Sequence, residues 1–230
     1  MYLNTFSIVA RCEQTGRFGV AVSTAVPAVG SLCSFARAGV GAIATQAWVN
    51  PSLGEKGLDL LASGLSAEET LERLLAEDEG RNSRQLGIVD ANGGSAAYTG
   101  KRTVRYKGHL HGPNYSVQGN MLTGPETLRA MEASFQASTG EMAERLMQAL
   151  EAGQAAGGDK RGKVSAAIKV VDTEGFPYCD LRVDEHADPV AELRRIFNIH
   201  KIGLMSCYSK WVSSLKEGKK LSMRELFKRD

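Results

Sequence analysis

Residues 1–24 read MYLNTFSIVARCEQTGRFGVAVST, and the reading of this stretch decides the fold. Two apolar runs, residues 5–10 and 18–24, are rich in Val, Ile and Phe. The segment RCEQTGR between them supplies a glycine for the turn, so the pattern predicts an antiparallel hairpin. Thr5 heads the first strand. A β-branched threonine suits a strand for packing reasons alone. A threonine behind four removable residues also has the form of a nucleophile awaiting exposure. Both readings stand at this point.

Working outward, VGAIATQAWV (residues 40–49) predicts a third, buried strand. Residues 57–80 are helical. Ser66 and Glu69 form a capping box in their second half, and Leu71, Leu74 and Leu75 make an inward stripe. RQLGIVDANGGSAAYTG (residues 84–100) is a second hairpin, with Asn92-Gly93-Gly94 supplying the positive-φ residues. Short strands surround HLHGPNYSVQGN (residues 109–120). Two helices follow, one from Pro125 and one from a second expected capping box, Ser138 with Glu141, to about Ala152. KVSAAIKVVD (163–172) pairs with GFPYCDLRVD (175–184). Asp188-Pro189 then opens a helix with Val190, Leu193 and Phe197 facing inward.

Blocks of hairpin-linked strands separated by helix pairs imply antiparallel sheets with helices outside them. Many of the strands are apolar on both faces and must be covered twice. The expected class is therefore α+β: two stacked antiparallel sheets with helices on both outer faces, a four-layer αββα sandwich. One such domain is expected over residues 1–200, with residues 201–230 as a basic C-terminal extension packed on it or trailing from it.

The totals exclude more than they assign. The 230 residues carry a formal charge of +2. Residues 201–230 hold eight Lys or Arg against three acids, +5, so the first 200 sum to −3. A short basic tail reads as a solvated surface, with neither nucleic acid nor membrane as partner. Cys12, Cys33, Cys179 and Cys207 are widely spaced and suit free thiols. With no basic-then-apolar leader and no long apolar run, a cytoplasmic location is expected.

Several motifs fail on context. GGDKRGKV (residues 157–164) resembles a phosphate loop, but a helix precedes it, a strand follows, and Val164 stands where a hydroxyl is required. GVGAIA (residues 39–44) has dinucleotide spacing but leads into a strand. His109 and His111 share a strand face without a third zinc ligand nearby in sequence. No cofactor or metal is expected.

Five segments carry a resemblance in chain order: residues 5–24, ARAGVGAIATQAWVNPSLGEKGLDLL (36–61), YSVQGNMLTGPE (115–126), EAGQAAGGDKRGKVSAAIKV (151–170) and DPVAELRRIF (188–197). Together they resemble the uncharacterised, mainly bacterial family known as domain of unknown function 1028, grouped with the N-terminal nucleophile (Ntn) hydrolases. The resemblance implies the αββα sandwich already reached from the chain. It also implies a nucleophile at the true N-terminus whose own α-amine is the general base. An amine of ordinary pKa ~7.7–8.0 accepts a proton near neutrality, so no histidine is needed.

By the same resemblance Thr5 occupies the nucleophile position, reached by cleavage after Asn4. Arg37 lies where a basic residue tunes the nucleophile, and Ser23 or Thr24 falls near a supporting acid. Asp159 resembles another supporting acid. Asn120, or Gln46 and Asn50, would supply oxyanion donors, and Arg161 would hold a substrate carboxylate. The structural alternatives remain: a strand residue at Thr5, a surface edge at Arg37, turn closure at Asn50 and Asn120, and a loop ion pair at Asp159 and Arg161.

The function so implied is an Ntn-type amidohydrolase or peptidase acting on a small amide or peptide. The alternative is a non-catalytic protein that binds a small ligand with its N-terminus unprocessed. A third possibility is an internal nucleophile such as Cys33 or Ser165. A homodimer is expected only because twofold assemblies dominate soluble oligomers.

Overall fold

The computed structural model describes residues 2–228. The chain divides into two compact units, Met1–Leu193 and Arg194–Asp230. The first opens with β1 (Tyr2–Leu3), β2 (Thr5–Arg11) and β3 (Phe18–Thr24). A short α1 (Gly30–Cys33), β4 (Ser34–Arg37) and β5 (Gly41–Trp48) follow. Next come α2 (Ser52–Ala62), α3 (Ala67–Glu77), β6 (Arg84–Asp90), β7 (Ser95–Thr99), β8 (Gly108–Gly112) and β9 (Tyr115–Gly119). The chain then runs through α4 (Glu126–Ala137), α5 (Met142–Ala155), β10 (Ser165–Val171), β11 (Pro177–Val183) and α6 (Pro189–Ile202). The second unit holds α7 (Leu204–Lys216) and α8 (Met223–Leu226). No helix among the described residues is long and apolar enough to cross a membrane.

Two antiparallel sheets form. One has the order β1-β5-β6-β7, with β4 also on β5; the other has the order β11-β10-β3-β2-β9-β8. Helices α2 and α3 cover the first sheet, and α4 and α5 cover the second. This is the αββα layering expected from the sequence. Strand periodicity sorts the residues. On β5 and β6, Ile43, Leu86 and Ile88 point outward to meet Leu53, Leu58, Leu61 and Leu74 of α2 and α3. Their neighbours Ala42, Ala44 and Val89 point inward and pack on Val9, Phe18, Val20 and Val171 of the opposite sheet.

Local signals place most boundaries. The Ser66–Glu69 capping box starts α3, with the Glu69 amide donating to the Ser66 hydroxyl at 3.2 Å. Gly93, at φ +85°, turns β6 into β7. The second expected capping box is corrected. Glu141 is itself the N-cap of α5, accepting from the Glu144 amide at 3.1 Å, while Ser138 Oγ donates to the Phe135 carbonyl and closes α4. The Glu141 carboxylate satisfies one of the orphan amides of the first turn, and α5 starts at Met142. The elements α1, β4, β1, α7 and α8 have no counterpart in the sequence-based assignment. Four of the five span four residues or fewer, too short for any periodicity to register.

The register at the N-terminus is what positions the site. Strand β1 pairs antiparallel with the end of β5, Tyr2 opposite Trp48 and Leu3 opposite Ala47. Two residues later the chain has crossed to the other sheet, where Thr5 lies opposite Thr24 on β3. Asn4 is the link between the sheets.

Candidate active site

The Asn4–Thr5 peptide sits where the two sheets meet. Thr5 is fully buried and Asn4 nearly so. The Asn4 carbonyl accepts from two side chains, Thr24 Oγ1 at 2.5 Å and Arg161 Nη2 at 2.9 Å. Arg161 is held in turn by Asp159, with Nε on Oδ1 at 3.1 Å and Nη2 on Oδ2 at 2.7 Å. That bidentate fork fixes the guanidinium plane. The Asp159 side chain is wholly buried and also accepts from the backbone amides of Arg161 and Ala25. A short pairing of Leu122 with Asp159 fastens this loop beside the end of β9.

The next carbonyl, that of Thr5, accepts from the main-chain N–H of Asn120 at 3.0 Å and from Gln46 Nε2 at 3.2 Å. Gln46 opens a buried amide network between the sheets. Its Nε2 also meets Gln85 Oε1 at 2.7 Å, and its Oε1 accepts from Ser7 Oγ at 2.7 Å. Gln118 Nε2 donates to Ser7 Oγ at 2.7 Å, and Ser116 Oγ donates to Gln118 Oε1 at 2.7 Å. Asn120 Nδ2 donates to Gln85 Oε1 at 2.9 Å. Gln85 Nε2 lies 2.8 to 3.0 Å from Gly119 O, Thr99 Oγ1 and Gly108 O. All six side chains of the network are fully buried. Gly87 makes room for it, because a Cβ there would run into the Gln118 amide.

The structure therefore brings Thr5, Gln46, Asn120, Asp159 and Arg161 together around one backbone turn. It does not bring the other three expected residues to them. Arg37 pairs with Asp59 of α2 at 2.9 Å, beside the Gly41 end of β5. Gln46 is five residues along that strand, about 16 Å at the usual strand rise. Asn50 accepts from the Ser52 amide at 3.2 Å and closes the turn into α2. Ser23 Oγ donates to the Ser165 carbonyl at 3.2 Å, on the helix-facing side of its strand. Thr24, its neighbour, faces the Asn4 carbonyl instead.

The internal candidates are bound into the packing. Burial pushes the Cys33 thiol far above its ordinary range, which works against the thiolate a nucleophile needs. Ser165 Oγ donates to Val26 O at 2.6 Å and accepts from the Val29 amide at 3.1 Å. His109 and His111 lie beside β7, bonded to Thr99 at 2.9 Å and Ser95 at 3.1 Å. Burial first, and His111 second, hold His109 below the ordinary histidine value. Among the described residues no three His, Cys, Asp or Glu side chains converge as metal ligands.

Sequence reasoning missed Asn4, Ser7, Gln85, Ser116 and Gln118. For Ser7, Gln85, Ser116 and Gln118 the available signal was a polar side chain inside a strand otherwise apolar, as in TFSIVA, RQLGIV and YSVQG; no such signal marked Asn4.

Residues 5–193 match the model of a family described as a family of unknown function, DUF1028. No curated protein matches. Among solved structures, a crystal structure of a DUF1028 protein from Silicibacter pomeroyi is similar at 32% identity and a TM-score of 0.82, covering 89% of this chain and 93% of that one. Anbu, the ancestral beta-subunit, from Yersinia bercovieri aligns at 10% identity and a TM-score of 0.40, over 95% of this chain and 100% of that one. An Anbu mutant from Hyphomicrobium sp. strain MC1 aligns at 11% identity with the same TM-score, over 95% of this chain and 99% of that one.

Proposed function

The chain belongs to the DUF1028 family, a family of unknown function, and from the geometry around its Asn4–Thr5 bond we propose a self-processing amidohydrolase of the N-terminal nucleophile type. One observation carries the reading. The carbonyl immediately before Thr5 accepts from two side chains at once, one of them a guanidinium fixed by a buried carboxylate. A buried carbonyl needs only one neutral donor to be satisfied. Two donors, one of them charged, suit an oxygen on which negative charge develops.

Processing then follows from these residues. Thr5 Oγ adds to the Asn4 carbonyl carbon, and the π pair moves onto the oxygen held by Thr24 and Arg161. Collapse breaks the C–N bond, and the proton lost by the hydroxyl passes to the Thr5 nitrogen. The product is an ester between Asn4 and Thr5 Oγ beside a free α-amine. Water hydrolyses the ester and releases residues 1–4 as a carboxylate, restoring the hydroxyl. The amine can now act as base for Thr5 Oγ when an external amide carbonyl takes the place of Asn4's. In this reading Gln46 and Asn120 are positioning residues that fix the Thr5 main chain. Asp159 positions Arg161.

A second reading, ligand binding by the intact chain, draws on the complete burial of Thr5 and the pairing of β1 with β5. One experiment separates the two: intact mass and N-terminal sequence of untagged protein. Wild type is expected to begin at Thr5, and Thr5→Ala to retain residues 1–4. Thr24→Val, which leaves the Asp159–Arg161 pair in place, should slow processing by ~10²–10³. A folded wild-type chain that still carries residues 1–4 overturns the hydrolase reading in favour of the second.

A further inference from the structure

We infer that a cavity beside the Asn4–Thr5 bond seats an anionic group, a carboxylate or a phosphate, and that the amide substrate of the mature site carries such a group. The seat stands on geometry alone; its use by a substrate rests on the hydrolase reading above. Two basic segments build it. KRTVRYK (residues 101–107) holds four cations and no acid, and KRGK (residues 160–163) holds three. They meet across residues 121–123. The Met121 and Leu122 amides donate to the Val104 and Tyr106 carbonyls, each at 2.9 Å. The Lys160 amide donates to the Met121 carbonyl at 2.9 Å, and the Thr123 amide to the Gly158 carbonyl at 3.1 Å. Arg105, Tyr106, Leu122, Thr123 and Lys160 line a cavity of about 480 Å³ at this junction, a volume in the range of small-molecule sites.

The lining has one chemical character. Four of its five side chains are hydrogen-bond donors, a guanidinium, an ammonium and two hydroxyls, and none is a carboxylate. Among the described residues, none of these four side chains is engaged in a hydrogen bond or an ion pair. Asp159, the acid next to Lys160 in sequence, is taken up by Arg161 and two backbone amides. A second cavity, of about 590 Å³ beside β4, shows the contrast. Its cations Arg37, Lys169 and Arg182 each already pair with a carboxylate, and Glu55, Glu174 and Asp180 share its wall. Arg105 and Lys160 lack such counter-charges, so an anion brought to them gains charge-assisted bonds without displacing any.

The seat is fastened to the processing bond. Lys160 stands between Asp159 and Arg161, the pair that holds the Asn4 carbonyl, and Leu122 is paired with Asp159. Met121, next to Leu122, takes the Asn4 side-chain amide on its sulfur at 3.4 Å. One short segment therefore carries both the clamp on the carbonyl and the anion seat. A compact substrate with an amide at one end and an anion at the other suits that pairing.

The seat is tested first by calorimetric titration of inorganic phosphate and of glutarate into the Thr5→Ala chain, which keeps residues 1–4 whether or not wild type is processed. At least one anion is expected to bind, and Arg105→Ala with Lys160→Ala to weaken it by about tenfold or more, with thermal unfolding showing the variant folded. Which of the two binds tells a phosphate seat from a carboxylate seat. Equal binding by parent and variant, or no binding of either anion, overturns the seat. The substrate is tested on chain shown by mass to begin at Thr5. Aminomethylcoumarin amides of succinate, glutarate and adipate are compared with their methyl esters, ω-phosphono counterparts replacing the acids if phosphate alone binds. The best anion is expected to exceed its neutral ester in kcat/KM by about tenfold, mostly through KM, and the double variant to bring that ratio towards one. A ratio of one throughout the series in wild type overturns the substrate class and leaves the hydrolase intact. A chain that never begins at Thr5 fails the hydrolase reading and the substrate class with it, while the calorimetry still decides the seat.

Discussion

The layer between the two sheets has two halves that obey different rules. Towards the Gly41 end of β5 it is a cluster of Val9, Phe18, Val20, Ala42, Ala44, Val89 and Val171, held by apolar burial. Towards the Trp48 end β2, β5 and β6 contribute Ser7, Gln46 and Gln85, and β9 with the residue after it adds Ser116, Gln118 and Asn120, as thoroughly buried but joined by hydrogen bonds. The contrast runs along single strands: β2 passes from Thr5 through Ser7 to Val9, and β6 from Gln85 through Gly87 to Val89. Apolar contacts are non-directional and tolerate small displacements. Buried amides tolerate few, because each lost partner leaves a desolvated polar group. The polar half is thus the more exact one, and it is the half that fixes the main chain at Thr5.

Two substitutions on β6, four residues apart, would break the comparison if they behaved alike. Gln85→Leu keeps the volume but strips partners from Gln46, Asn120 and Thr99. It is expected to lower unfolding free energy by ~4 kcal/mol in urea titrations, through several orphaned polar groups at ~1–3 kcal/mol each. Val89→Ala leaves a cavity in the apolar half and should cost about 2 kcal/mol. Equal losses would mean the network is no more demanding than ordinary packing.

The smallest effect concerns pH and sharpens the boundary of the polar half. His109 bonds to Thr99, which meets Gln85. Its folded pKa is lowered, so on acidification the unfolded chain takes up its proton first, from ordinary histidine values near ~6.5 downward. Folding stability should therefore fall as pH drops below that point, and His109→Gln should flatten the profile. Thermal unfolding from pH 7.5 to 5 reads both slopes, and identical slopes would detach His109 from the network.

Much of this arrangement was legible in the chain. The hairpins around Gly16 and Gly93, the Ser66 cap and the Asp188-Pro189 helix start are set by residues within a few positions of each other. The αββα layering followed from strands apolar on both faces. The family resemblance pointed to Thr5, Asp159, Arg161, Gln46 and Asn120, which the fold gathers at one turn. It also pointed to Arg37, which lies about 16 Å along β5 from Gln46, and to Asn50, which closes a turn. Position relative to Thr5 in sequence says nothing about which way along a strand a side chain ends up.

Alternation, caps and turn glycines act over two to five residues, and so the longer elements of the sandwich and its two-sheet layering could be read from the chain alone. The environment of the Asn4 carbonyl was decided only by tertiary structure. Its donors, Thr24 and Arg161, are 20 and 157 residues away in the chain. A two-residue strand on β5 brings the backbone to them. Such a strand is too short to have a period, and a carbonyl has the same chemistry at every position, so no sequence signal marks the one that matters.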